Sequence, residues 1–117
     1  MENDSTTVKA TSGEDVRVTD WVACFNSNDN TIVLSCTLTA REDSAGISGV
    51  GVILNTGAGA TVASSYCVMS SASKSVSPAL NVAHGRLNVG DDVLAVAQGE
   101  CNGKHFFFEQ RLTISNC

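Results

Sequence analysis

Residues 87–115 read LNVGDDVLAVAQGECNGKHFFFEQRLTIS, and the reading of this stretch decides the fold class. Gly90-Asp91 forms a turn, and the residues after it alternate apolar and polar, with Leu94 and Val96 expected to point inward. Asn102-Gly103 then supplies a two-residue turn of the kind that joins antiparallel strands, because both residues tolerate positive φ. Beyond it, Phe106, Phe108, Leu112 and Ile114 share one face, and Phe107, Glu109, Arg111 and Thr113 share the other. This is a hairpin with one face to bury, so the chain needs a second layer.

The same period of two runs through the upstream sequence. In DVRVTDWVACF (15–25), Val16, Val18, Val22 and Cys24 fall on one face, with Arg17, Thr19 and Trp21 opposite. NSNDN (26–30) is a polar turn, and TIVLSCTLTA (31–40) places Ile32, Leu34, Cys36 and Leu38 inward. ISGVGVILN (47–55) alternates through Val50, Val52 and Leu54 and leads over a Gly-rich turn into ATVASSYCVMS (60–70). SASKSVSPALNVAHG (71–85) reads as extended with one helical turn. The total is about seven strands and no obligatory helix, which predicts an all-β, antiparallel two-sheet β-sandwich. At 117 residues the chain is one domain, 1–117, in which the acidic and polar residues 1–14 are expected to be a flexible N-terminal segment.

LNVGDDVLAVAQGECNGKHFFFEQRLTIS resembles the last two strands of bacterial extracellular immunoglobulin-like β-sandwich modules, and TIVLSCTLTA and ISGVGVILN stand where such modules have their second and third strands. The resemblance implies an immunoglobulin-like order of the two sheets. It also implies a bridge from Cys36 to Cys101 like that of antibody domains.

Of the five cysteines, at most four can pair within the chain. Cys24 and Cys36 flank one turn and Cys67 and Cys101 lie on later elements, so these two pairings compete with Cys36–Cys101. Cys117 is then the expected free or intermolecular thiol. A cysteine content this high predicts an oxidising compartment and a secreted, periplasmic or cell-surface protein. The first residues, MENDSTTVKATSGED, carry no secretory signal, so the expectation is a mature chain whose signal has been removed.

Charge excludes one class of partner. Through Asp43 there are eight acidic and three basic side chains, and after it four of each, so the first third carries the whole net charge of -5. With no basic stripe, nucleic-acid binding is not expected, and no apolar run is long enough to span a membrane as a helix.

Catalytic chemistry finds little support in the residues. Cys101 and His105 are the one Cys and His close in sequence, and they define a candidate redox or metal site. The close Cys pairs of zinc sites are missing, as are phosphate-cradling Gly-rich and G-x-S-x-G motifs, so no cofactor is expected. Trp21 and Phe107 sit on the faces opposite the apolar ones and are candidate binding-surface aromatics. The first reading is therefore a non-catalytic binding module for a protein or glycan partner, in adhesion or host interaction. The alternatives are the small redox or metal protein and a structural subunit that forms a homo-oligomer linked through Cys117 or an edge strand.

Overall fold

A computed structural model describes residues 8–10 and 15–117. The described residues form β1 (Val8–Ala10), β2 (Val16–Asn26), β3 (Thr31–Ala40), β4 (Ile47–Thr56) and β5 (Thr61–Ser73), then β6 (Ser75–Val76), β7 (Ala79–Ala83), β8 (Asp92–Cys101), β9 (Lys104–Thr113) and β10 (Ser115–Asn116). None of them is helical. The helical turn expected within 71–85 is replaced by β6 and β7, separated at Pro78, which has no N–H to donate and accepts through its carbonyl from Cys36 N instead. The reading of residues 1–14 as a flexible segment lies outside the described residues, except at β1.

One sheet has the order β1-β9-β8-β4-β5. The other runs β10-β2-β3, with β6 and β7 both on the far side of β3, so that five strands fill four positions. The chain is an all-β two-sheet sandwich, as the alternation predicts. β3 and β4 follow one another in sequence but lie in different sheets, and β4 pairs with β8. That crossover is a Greek-key connection of the immunoglobulin-like kind.

The core lies between the two inner faces. Ile32, Leu34, Cys36 and Leu38 of β3 meet Val50, Val52 and Leu54 of β4 and Phe106 and Phe108 of β9 there. The β8–β9 hairpin closes through Asn102 at φ 57° and Gly103 at φ 78°, the pair of positive values that lets a two-residue turn follow the strand twist.

Two faces differ from the sequence expectation. In β8, Val93, Ala95 and Ala97 point into the core, while Leu94 and Val96 lie on the outer face. The inner residues are small because their partners on β9 are large: Ala97 opposes Phe108 and Gly99 opposes Phe106. A Cβ on Gly99 would lie 2.9 Å from the Phe106 ring and 2.0 Å from Gly49 O, so no side chain fits there.

In β2, the register slips between Thr19 and Val22, so that Asp20 and Trp21 together oppose Cys36. This is a β-bulge, with Asp20 in the left-handed region at φ 59°, a conformation Asp tolerates better than most residues. It exchanges the faces of everything after it. Val16 and Val18 point inward before the bulge, and Trp21, Ala23 and Phe25 point inward after it. Val22 is left exposed, and Cys24 is turned outward.

Candidate functional site

The outer face of the five-stranded sheet is assembled by cross-strand register. Gly51 opposes Tyr66 on one side and Gln98 on the other, and Gln98 in turn opposes Phe107. The row beside it is Val68, Gly49, Glu100 and His105. Neighbouring strands lie about 4.8 Å apart, so each row is a short line of side chains across the sheet.

Tyr66 gives this face its shape. A Cβ on Gly49 would meet its hydroxyl oxygen at 2.5 Å, and a Cβ on Gly51 would meet its ring at 2.6 Å. The ring therefore lies flat across the two glycines, which are the only residue type that leaves room for it. One ring face rests on β4 and the other faces solvent, leaving Tyr66 53% exposed. Val62 and Val68 on the same strand expose 39% and 78%, so β5 presents a row of apolar groups to water. Phe107 is half-buried on the same face, three strands away.

The sequence-predicted site residues fare unevenly. Trp21 is not on a solvent face: the bulge turns it inward, where it packs against the core with Nε1 buried and without a hydrogen-bond partner among the described residues. Cys101 and His105 do not form a site. Cys101 opposes Lys104, and His105 opposes Glu100, which puts their side chains on opposite faces of the hairpin. The Cys101 thiol is buried beside Ser44, whose hydroxyl donates to Arg41 O and accepts from Gly46 N. Among the described residues no three His, Cys, Asp or Glu side chains cluster as metal ligands would. The signal for Tyr66 was the alternation Gly49-x-Gly51 within a strand, which marks close approach by another group.

The cysteine pairing also differs from expectation. Cys117 is not the odd thiol but the partner of Cys24, with the two Cα atoms 4.9 Å apart. The bulge explains this, since Cys24 faces away from the core and from Cys36. β10 then runs parallel to β2, pairing Ser115 with Cys24 and Asn116 with Phe25, and Cys117 N donates to Phe25 O. Cys36, Cys67 and Cys101 are free thiols. Burial pushes the Cys36 thiol up to about 12, which suppresses its thiolate and its reactivity. A bridge closing almost the whole chain belongs to an oxidising, extracytoplasmic setting.

At the start of β2 and the end of β3, Asp15, Arg17, Thr39 and Arg41 line a cleft of about 390 Å³. Arg41 ion-pairs there with Asp15 at 3.5 Å and with Asp43 at 2.8 Å. Its hydrogen bond and charge hold the Asp43 carboxyl below the usual carboxylate range.

Fold and site together define a two-sheet β-sandwich whose five-stranded sheet carries an exposed tyrosine on its outer face. In fold it is similar to a part of OgpA from Akkermansia muciniphila: the wild-type crystal structure matches with a TM-score of 0.54 at 14% identity, over 85% of this chain and 27% of that one. The crystal structure of catalytically inactive OgpA in complex with an O-glycopeptide substrate, glycodrosocin, matches with a TM-score of 0.54 at 16% identity, over 88% of this chain and 30% of that one. The chain thus spans less than a third of OgpA, and the likeness is one of fold. No family model matches the sequence, and no curated protein matches it significantly.

Proposed function

We propose that the chain is a secreted or cell-surface, non-catalytic interaction module that holds a protein or glycan partner on the outer face of its five-stranded sheet. The observation that carries this reading is the Tyr66 ring, fixed flat over Gly49 and Gly51 with one face open. A ring held in place loses little entropy on binding, and its apolar face suits a sugar ring or an apolar side chain. Gln98, Glu100 and His105 on the adjoining strands supply hydrogen-bonding groups around it. The separation of Cys101 from His105, and the burial of Cys101, speak against a redox or metal site built on that pair. OgpA, part of which shares this fold, takes an O-glycopeptide substrate, which makes glycopeptides the first ligand class to try.

The test is titration of isotope-labelled protein with a set of defined O-glycopeptides and their unglycosylated peptides. Shift changes centred on Gly49, Gly51, Tyr66 and Gln98 are expected. Tyr66→Ala should weaken binding at least about tenfold, while Tyr66→Phe, which keeps the ring, should change it little. Binding that maps to other residues, or that is indifferent to Tyr66→Ala, refutes the reading.

A further inference from the structure

We infer that the Cys24–Cys117 bridge is a redox-gated load path. While it is closed, pull applied to the two ends of this chain crosses from one cysteine to the other and bypasses the strands between them. The bridge joins residues 93 apart, so everything between forms a loop attached to the line of pull at one place, where the two Cα atoms lie 4.9 Å apart. Tension entering at Cys117 passes through the two side chains into the backbone of β2 and runs back along that strand towards the N-terminus. β3 to β9 lie off this line, and with them the Tyr66 face and the core residues of β3, β4, β8 and β9.

β2 suits this part. From Val16 to Cys24 it is already an extended strand, at about 3.3 Å per residue against at most about 3.6 Å when taut, so tension along it gains little length. Its ladder with β3, from Val16 opposite Ala40 to Cys24 opposite Val33, is not in series with the pull. Ahead of β2, β1 stands in the line, and its three pairs with β9 are what tension opens first.

Without the bridge the same pull falls on β10. Two ladder pairs, Ser115 with Cys24 and Asn116 with Phe25, and the bond from Cys117 N to Phe25 O hold that strand to β2. Behind it stand Ile114, a core residue 1% exposed, and then β9, which lies between β1 and β8 and carries Phe106 and Phe108. Loss of β10 therefore leads straight into the core. Cys117 is exposed, so a thiol reductant reaches the bridge from solvent. The attacking thiolate bonds to one sulfur as the other leaves as a thiolate. A second reductant thiol then displaces the first, so both cysteines end as thiols and the reductant as its disulfide. None of this depends on what the Tyr66 face binds.

Single-molecule stretching of the full chain, held by handles added at its two ends, tests the inference. A taut chain of 117 residues spans about 420 Å and the residues up to Cys24 about 85 Å, so the oxidised protein should stop about fivefold shorter than the reduced one. Dithiothreitol added under load should release the remainder. Cys117→Ser should reach the full length without reductant. Because that variant also loses the bridge's contribution to stability, reduction of folded wild type under load carries the decision. With iodoacetamide present, the oxidised chain should regain its starting length on relaxation, because Cys36 and Cys101 stay buried throughout. An oxidised chain that extends past the shorter length, a reduced chain that does not, or an oxidised chain that iodoacetamide prevents from relaxing overturns the inference.

Discussion

Replacing Cys24, Cys117 or both by serine tests the pairing on which the geometry of β2 and β10 depends. The bridge joins residues 93 apart in sequence, so it removes a large loop-closure entropy from the unfolded chain, about 4–5 kcal/mol at 25 °C by the chain-entropy relation. That is a large share of the roughly 5–15 kcal/mol by which a domain is stable. In thermal unfolding it corresponds to a drop on the order of 15 °C for a domain of this size. Urea denaturation monitored by Trp21 fluorescence provides the free energies, with the slope recording whether the unfolded state has also expanded. The thermodynamic cycle is the decisive part. If the two sulfurs are bonded to one another, each single variant loses the same bridge, and the double variant loses nothing further of it. Additive losses, or a Cys117→Ser variant as stable as wild type, would show that the two cysteines act separately and refute the reasoning.

Three further outcomes follow from the packing. Gly99→Ala should destabilise by about 2–3 kcal/mol in chemical denaturation, because its Cβ would lie 2.0 Å from Gly49 O and the backbone of β4 would have to move. Asp20→Val should cost about 1–2 kcal/mol and Asp20→Gly close to nothing, because the bulge holds this residue at φ 59°; equal effects would show that the left-handed conformation is not required. Burial holds the Cys36 thiol protonated up to about 12, whereas in the unfolded chain it ionises near 9.0, so its contribution is fully present below pH 9 and is lost as pH rises towards 12. Comparing wild type with Cys36→Ala across that window should show the wild type losing more stability with rising pH, and native Cys36 should resist thiol reagents at pH 8.

How much was legible follows the physics of each strand. β3 reads directly, since its alternation through Ile32, Leu34, Cys36 and Leu38 is unbroken and one face is fully buried. Phe106 and Phe108 read equally well, fixed by the Asn102-Gly103 turn that sets the hairpin register. β8 misleads because both of its faces are apolar: Val96 is buried on the outer face, and the inner positions carry the small residues. Larger side chains suggest a core, but here the phenylalanines opposite leave room only for alanine and glycine. β2 misleads for another reason. A bulge adds one residue without leaving a pattern in the sequence, and each assignment after it, including Trp21 and Cys24, changes face.

The sequence by itself determined the class of fold, the position of the turns and which strands have a face to bury, because these depend on local backbone preference and on a period of two. Only the tertiary structure decided the pairing of Cys24 with Cys117, the separation of Cys101 from His105 and the placing of Tyr66 over Gly49 and Gly51. Each of these depends on which strand lies beside which, and on a register that a single extra residue can reverse.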